Sequence, residues 1–350
     1  MQNLYITGTA GSAKTAMAVG LGLKLQQEGY KVSYFKPIGI TTATGYTVDE
    51  DGLLMQKVLG INHPIDTIVP CTTSPFYLTR YHQNNEILEK VTEAFEKVSQ
   101  DADIVLIDGA IFPHSMASMK LDDATLAQKF NAAAIHMIKI KNDFSLDQAV
   151  FFNRYFHCHK IPLLGNVFYN VPRQILAKTE GVYKTILTEN GFETLGIVPH
   201  RSELTAPTVE QYYQVLGGEI LCGEDKLHRP VEDSVVGAMT IESALAYLRR
   251  APNKAVITGG DRADIALAAL ETDTSVLILT GGLYPDVKVI AKADEKGVPI
   301  ILVHHDTFAT IERMTEVSNR IKPEDEDNIK MAVENVEQYI DWQGIIESLK

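Results

Sequence analysis

The fold is decided by the stretch Leu4-Tyr5-Ile6-Thr7-Gly8-Thr9-Ala10-Gly11-Ser12-Ala13-Lys14-Thr15. An apolar segment predicts a strand, small residues follow, and Ala16 to Gln27 resembles a helix. A strand, a glycine-containing loop and a Lys-Thr pair at a helix start form a phosphate-binding loop, or P-loop. Lys14 reaches the terminal phosphates in such a loop, Thr15 binds Mg²⁺, and backbone N–H groups bind phosphate. The backbone role falls to Gly8, Thr9, Gly11, Ser12 and Ala13, so the predicted ligand is a nucleoside triphosphate with magnesium.

Ala13 departs from the usual loop pattern, which has glycine immediately before the lysine. Alanine keeps the backbone N–H, so the loop works if this residue has near-helical dihedral angles. It fails if the residue needs a positive φ. The alternative interpretation is a helix N-terminus that follows a glycine-containing turn by chance.

Length and composition limit the function classes. The 350 residues predict two domains, and 45% hydrophobic with 22% charged residues is typical of a globular protein. A formal charge of −13 argues against a nucleic-acid or anionic-membrane partner. The N-terminus enters a strand without a basic or long apolar segment, and three widely spaced cysteines fit a reducing compartment. We therefore expect a cytoplasmic protein.

Three further residues are candidates for the phosphate and metal site. Parallel strands present ligand groups at their carboxyl ends, so Lys36, after the predicted strand Val32–Phe35, is a second cation for the transferred phosphate, or else a surface lysine. Asp108 ends the predicted strand Asp103–Ile107 and is either a metal ligand or part of an Asp-Gly turn. Asp51 lies in an acidic helix start, where it either caps the helix or binds Mg²⁺.

Alternating strand and helix patterns continue to about Pro199, which predicts a P-loop NTPase-type parallel sheet with helices on both faces. Around Gln211 the pattern changes, and Gly217–Pro230 is interpreted as a linker. A smaller α/β series follows, whose strand ends either form a second ligand face or are ordinary turns. The predicted ranges are 1–212 for the first domain, 213–325 for the second and 326–350 for a charged helical tail.

The chain resembles proteins that join a dethiobiotin-synthetase-like P-loop domain to a DRTGG domain, a pair also found at the N-terminus of long bacterial phosphotransacetylases. The resemblance covers roughly residues 1 to 320. The matching residues are Gly8–Thr15, Phe35-Lys36-Pro37, Asp51, Asp108-Gly109, Asn170, Thr258–Arg262 and Thr280–Gly282.

This resemblance implies a nucleotide site in which Lys14 and Lys36 act on the phosphoryl group and Thr15, Asp51 and Asp108 hold Mg²⁺. It also implies that Asn170 and the loop ending at Pro199 bind adenine, and that the protein is a homodimer. Ala13 replaces the loop glycine, and Asp108 stands where the synthetase has Glu. Thr9 stands where some dimeric relatives carry a further lysine.

Two functions follow as hypotheses. The first is ATP-dependent phosphoryl transfer to a carboxylate or carbamate, as in the resembled synthetase. The second is non-catalytic nucleotide sensing that regulates acetyl-phosphate or acetyl-CoA metabolism, with a small-molecule ligand or protein at the second domain. Because the sequence ends at Lys350, we expect no acetyltransferase domain. A scaffold with an inactive loop is a third interpretation, based on Ala13.

Overall fold

The computed structural model describes residues 2–40, 49–73, 77–79, 84–201, 206–316 and 321–350. The chain forms two compact units. Met1–His200 together with Ile321–Lys350 make the first, and Arg201–Arg320 make the second.

The first unit is built on a six-stranded sheet in the order β2-β5-β1-β6-β7-β8. All neighbouring strands run parallel, so their carboxyl ends share one edge. The strands are β1 (Gln2–Gly8), β2 (Val32–Phe35), β5 (Ile104–Asp108), β6 (Ala133–Ile138), β7 (Leu163–Val171) and β8 (Thr194–Pro199). Two short strands, β3 (Ile38–Ile40) and β4 (Cys71–Thr73), pair separately.

Helices cover both faces of this sheet, because successive strand residues point to opposite sides. Leu4 and Ile6 pack with α1, while Tyr5 packs in a second core with α4 and α5. The helices are α1 (Lys14–Gln27), α2 (Glu50–Val58), α3 (Ile65–Ile68), α4 (Asn84–Ser99), α5 (Asp123–Lys129), α6 (Asp143–Cys158), α7 (Arg173–Lys178) and α8 (Lys184–Glu189). A π-helical turn, Thr179–Tyr183, joins α7 to α8.

The second unit has a five-stranded sheet in the order β10-β11-β12-β13-β9. Its strands are β9 (Glu219–Cys222), β10 (Asp233–Val236), β11 (Lys254–Gly259), β12 (Thr274–Thr280) and β13 (Ile300–Leu302), and only β9 is antiparallel to its neighbour. The helices are α9 (Val209–Leu216), α10 (Ile241–Leu248), α11 (Ala263–Leu270), α12 (Val287–Lys296) and α13 (Thr307–Glu316). Helices α10 to α12 pack on one face, and α9 with α13 on the other.

The C-terminal segment belongs to the first unit. Its helices are α14 (Glu326–Tyr339) and α15 (Trp342–Leu349), and α14 packs along α1, where Lys24 pairs with Glu337 at 3.0 Å. Between these helices, Ile340 forms an antiparallel bridge with Gly196 of β8. Ala332, Val336 and Ile345 are thereby buried in the same core as Leu4 and Ile6.

The predicted fold class, a parallel P-loop-type sheet followed by a smaller α/β domain, is confirmed. The compact units differ from the predicted ranges 1–212, 213–325 and 326–350, because residues 321–350 pack back onto α1. The region interpreted as a linker contains β9, which pairs with β13. No helix in the described parts of the chain is long and apolar enough to cross a membrane.

Candidate functional site

The predicted site residues of the first unit lie along the carboxyl edge of its sheet. The strand order places Lys36 after β2, Asp108 at the end of β5 and the P-loop after β1, with Asn170 and Pro199 near the ends of β7 and β8. Because neighbouring strands lie about 4.8 Å apart, all of these residues occupy one rim.

The P-loop backbone has the conformations that glycines permit. Gly8 has a φ of 156°, and a Cβ there would lie 2.5 Å from the Met137 carbonyl oxygen. Gly11 has a φ of 67°. Ala13 is also left-handed, with φ 65° and ψ 34°, as the N-cap of α1. We expected the phosphate-binding loop to fail if Ala13 needed a positive φ, and Ala13 has one. For an alanine, this left-handed conformation costs roughly 1–2 kcal/mol relative to the right-handed one.

Lys14 starts α1 and folds back over the loop. Its Nζ donates to the carbonyl oxygens of Gly8 at 3.1 Å and Thr9 at 3.4 Å. Burial lowers the pKa of Lys14, although the nearby Asp108 and Asp123 carboxylates act in the opposite direction. Thr15 lies in the first turn of α1. The buried Ser12 hydroxyl has no hydrogen-bond partner within the described residues.

Lys36 is enclosed by three carboxylates. Its Nζ lies 2.5 Å from Asp51 Oδ2, 3.2 Å from Asp49 and 3.9 Å from Asp108 Oδ2. Burial lowers the pKa of Lys36, but Asp51, Asp108 and Asp49 outweigh it and raise that pKa above its usual range. Asp49 is the N-cap of α2, since it accepts from the Gly52 N–H at 3.0 Å. The acidic helix start therefore contains a residue that both caps α2 and pairs with Lys36, Asp49, and a second partner of Lys36, Asp51.

Asp108 is 2% exposed and accepts a hydrogen bond from the Tyr34 hydroxyl through Oδ2 at 2.8 Å. Its Oδ1 has no hydrogen-bond partner among the described residues. Burial raises the pKa of Asp108 to about 6, against the attraction of Lys36. A buried carboxylate oxygen without a donor is a group that a cation would satisfy.

The donor set fits magnesium with a nucleotide phosphate. Three carboxylates surround one ammonium group, so negative charge is in excess beside the P-loop. Across the described ranges, no group of three or more His, Cys, Asp or Glu side chains has metal-binding geometry by itself. Mg²⁺ commonly takes one or two protein carboxylates and completes its shell with water and substrate phosphates. Asp51, Asp108 and Thr15 can supply the protein's share of such a site.

Asn170 and Pro199 lie together at the other end of the rim. Asn170 is left-handed, with a φ of 55°, and its neighbour Val171 pairs with Pro199. The His200 N–H donates to the Val171 carbonyl at 2.9 Å, which extends this pairing beyond β8. The two residues expected to contact a base are therefore adjacent in the fold, on the opposite side of the P-loop from Lys36.

Sequence reasoning missed Asp123, the first residue of α5. It is fully buried and accepts from Thr7 Oγ1 at 2.6 Å and from the Ala110 N–H at 2.9 Å. It therefore links the strand that enters the P-loop to the segment after Asp108. In the sequence, Asp122-Asp123 looks like a helix cap, and Asp122 does cap α5 by accepting from Thr125.

In the second unit, the strand ends interpreted either as a second ligand face or as ordinary turns also meet at one edge. The Leu283 carbonyl lies so close to Gly260 that a Cβ there would be 1.7 Å from its oxygen. Arg262 donates to the Met239 carbonyl at 3.0 Å and pairs with Asp264. Thr280 and Thr307 hydroxyls lie 2.9 Å apart. These contacts bring the loops together without identifying a ligand.

Comparison with known families matches both units. Residues 2–208 match the family described as "AAA domain", and residues 211–317 match the "DRTGG domain". The phosphate acetyltransferase of Nitratidesulfovibrio vulgaris (strain Hildenborough) is 27% identical over 362 residues, which cover 97% of this chain and 50% of the relative. The chain thus spans about half the length of the phosphate acetyltransferases that match nearly all of it.

Shorter similarities are confined to part of the chain. ATP-dependent dethiobiotin synthetase BioD of Aquifex aeolicus (strain VF5) is 32% identical over 112 residues, covering 31% of this chain and 49% of the synthetase. A crystal structure of cobyrinic acid a,c-diamide synthase from Mycobacterium smegmatis has a TM-score of 0.39 and 16% identity, and covers 58% of this chain and 87% of that chain. A TM-score this low adds nothing to the assignment.

The matches confirm the combination of a dethiobiotin-synthetase-like P-loop domain with a DRTGG domain. Since the first match spans more than half of the residues, the chain belongs to the AAA domain family, with a DRTGG domain after the P-loop domain.

Proposed function

We propose that the first unit binds Mg-ATP and transfers its γ-phosphoryl group to a carboxylate or carbamate. The observation that carries this proposal is the enclosure of Lys36 by Asp49, Asp51 and Asp108 beside the P-loop. A lone surface lysine would not be enclosed by two buried carboxylates, Asp49 and Asp108, and a partly buried one, Asp51. A cation and carboxylates next to a phosphate loop are what phosphoryl transfer requires.

In this proposal each residue has one role. Backbone N–H groups of Gly8, Thr9, Gly11, Ser12 and Ala13 hold phosphate oxygens, and Asn170 with Pro199 holds the adenine. Asp51, Asp108 and Thr15 bind Mg²⁺, which would balance charge on the phosphates. Asp51 and Asp108, which pair with Lys36 in the nucleotide-free protein, would supply oxygens to the metal ion, and the Lys36 ammonium would then be available to the γ-phosphate.

Lys14 and Lys36 then act on the charge that develops during transfer. An acceptor oxygen forms a bond to the γ-phosphorus while the bond to the β,γ-bridging oxygen breaks and ADP leaves. Two ammonium groups beside the transferred group lower the cost of that charge redistribution. The product is a mixed anhydride of the acceptor and phosphate, which an amine is expected to capture, as in the similar synthetase.

Isothermal titration with ATP, ADP and GTP, each with and without Mg²⁺, tests binding. We expect micromolar, Mg²⁺-dependent ATP binding, about 8 kcal/mol on the affinity scale, and its loss in Lys14→Ala. No ATP binding by the wild-type protein would refute the proposal and favour an inactive loop. Binding that survives in Lys14→Ala would refute its P-loop basis.

ADP release under ATP turnover tests the role of Lys36. Lys31→Ala is the matched control, since Lys31 is exposed and precedes β2 whereas Lys36 follows it. We expect Lys36→Ala to lose turnover and Lys36→Arg, which keeps the charge, to retain part of it. Thermal unfolding of each variant separates a chemical defect from a folding defect. Intact turnover in a folded Lys36→Ala variant would exclude the mechanism.

Nucleotide sensing without catalysis is the second candidate, and the left-handed Ala13 favours it. Alanine departs here from the usual loop glycine, and relatives named phosphate acetyltransferase point to regulation of acetyl-phosphate metabolism. In this case ATP binds without turnover and changes hydrogen-exchange protection in residues 211–317. Unchanged protection and an unchanged sedimentation coefficient on ATP binding would reject sensing. Sedimentation of the nucleotide-free protein also tests the proposed homodimer.

A further inference from the structure

A second lysine lies over the crest of the P-loop. Lys139 follows β6, which pairs with β1 on the side away from β5. Its Nζ lies 2.7 Å from the position that a Cβ on Gly11 would occupy. Gly11 has a φ of 67° and carries no side chain, so nothing of its own separates this ammonium group from the loop backbone.

The Lys139 ammonium has no acidic partner among the residues that the structure describes. Within the described parts of the chain, no carboxylate forms an ion pair with it, whereas the Lys14 ammonium is bound by the Gly8 and Thr9 carbonyl oxygens. Desolvation lowers the pKa of Lys139, and the neighbouring Lys141 lowers it further. Lys139 is exposed, so an anion can reach its ammonium group, and an anion stabilises a cation that lies beside another cation.

We propose that Lys139 binds the α- and β-phosphates of the nucleotide and so acts as a second P-loop cation supplied by the neighbouring strand. This inference rests on the proposed function, because it uses the same nucleotide site. It adds a phosphate-binding residue that the loop sequence does not contain, since Thr9 is uncharged.

The strand order selects these phosphates rather than the γ-phosphate. Lys36 and Asp108 lie on the β5 side of the P-loop, and Asn170 with Pro199 lies on the β7 side. Strand β6 lies between β1 and β7, so Lys139 lies between the loop and the base position. The phosphates that lie between the γ-phosphate and the ribose are the α- and β-phosphates, which ATP and ADP share.

The test compares Lys139→Gln with Lys141→Gln in the full-length protein by isothermal titration with ATP and ADP. Lys141 is exposed, lies two residues further along the same segment, and gives the same change in net charge. We expect Lys139→Gln to weaken ATP and ADP about tenfold each, the size of one charge-assisted contact. Lys141→Gln should stay within about twofold of wild type, and Lys139→Arg should retain most of the affinity.

Differential acetylation provides an independent readout. Acetic anhydride labelling followed by peptide mass spectrometry should show Lys139 protected by ADP and Lys141 labelled equally with and without it. Equal effects of the two glutamine variants, or labelling of Lys139 that ADP does not reduce, would overturn the inference. Loss of ATP affinity without loss of ADP affinity would overturn the assignment to the shared phosphates.

These outcomes separate the inference from the proposed function. If the wild-type protein binds nucleotide and Lys14→Ala does not, the P-loop site stands, and an unaffected Lys139→Gln removes only the role of Lys139. If the wild-type protein binds neither ATP nor ADP, both the site and this inference fall.

Discussion

The buried side chain of Asp123, beside the P-loop, makes the stability of the protein depend on pH. Burial raises its pKa to about 7, although hydrogen bonds from Thr7 and Ala110 favour the charged form. A folded-state pKa above the unfolded value of about 3.9 means that the folded protein binds the proton more tightly. This stability is fully present below about pH 4, falls as the pH rises, and is lost through about pH 7.

Asp123→Asn should remove this pH dependence, because asparagine keeps the shape and hydrogen-bonding groups of the protonated acid. Above pH 7 we expect the variant to exceed wild type in unfolding free energy by roughly 2–4 kcal/mol, the order of a three-unit pKa difference. Urea unfolding from pH 4.5 to 8.5 measures this. Asp101→Asn controls for loss of a carboxylate at an exposed position. Parallel pH profiles for wild type and Asp123→Asn would contradict the assignment.

Some site residues could be predicted one at a time, because their place in the local sequence indicates that they lie at the carboxyl edge of the sheet. Lys36 follows an apolar run and Asp108 ends one, while Lys14 is marked by the P-loop motif after β1, and the parallel arrangement then places all three on one rim. Asp123 and Lys139 act by reaching another segment of the chain, Thr7 in one case and Gly11 in the other. A local sequence pattern does not indicate such long-range contacts, so neither residue was predicted.

At the scale of elements, the junction of β1 and α1 combines a recognisable motif with an unfavourable residue. Ala13 holds the left-handed conformation at the N-cap of α1 and accepts from the Met17 N–H at 3.0 Å. Helix α1 therefore begins with a regular helical hydrogen bond, and the backbone strain is confined to Ala13. The loop's shape is retained at a cost in stability.

Ala13→Gly should raise the unfolding free energy by about 0.5–1 kcal/mol. Relief of the left-handed strain contributes roughly 1–2 kcal/mol, and the greater entropy of glycine in the unfolded chain offsets about 0.4–1 kcal/mol. Ala10→Gly is the control in the same loop, because Ala10 does not have a positive φ and should lose stability. Guanidinium unfolding compares the two. A destabilised Ala13→Gly variant would mean that the left-handed conformation carries no strain.

The elements themselves followed from sequence where a period was strong. The apolar run that predicted a strand at Asp103–Ile107 gave β5 near its observed bounds, since buried parallel strands are continuously apolar. Strand β9 was missed because it is short and lies between glycines and a polar run, and its pairing with β13 is a long-range contact. Helix α9 was likewise absorbed into a predicted change of pattern, although Thr208 and Gln211 form a capping box.

At the scale of the whole molecule, the chain returns to its first unit after completing the second. The charged, amphipathic pattern of the C-terminal segment predicts that its apolar side packs against another surface, but the pattern does not identify that surface. The segment packs where glycines of the first unit let its backbone come close. Gly20 faces the Ala332 carbonyl, and Gly196 faces the Tyr339 carbonyl at 2.3 Å from an added Cβ. The stability of the nucleotide-binding unit therefore depends on the last thirty residues, about which the P-loop motif says nothing.

Gly20→Ala should destabilise the first unit by about 1–3 kcal/mol, the usual cost of overpacking. The new Cβ would lie 2.2 Å from the Ala332 carbonyl oxygen and 2.8 Å from Val336 Cγ2, so α14 must move away from α1. Gly181→Ala is the matched control, because an added Cβ there has nothing within 4 Å and alanine is the better helix former. Urea unfolding gives the free energies, and hydrogen exchange in residues 326–349 shows whether the segment has loosened. If Gly20→Ala behaved like Gly181→Ala in both measurements, α14 would not be packed against α1. A loss of stability with faster exchange in α14 would show that the segment after the second unit holds the first together.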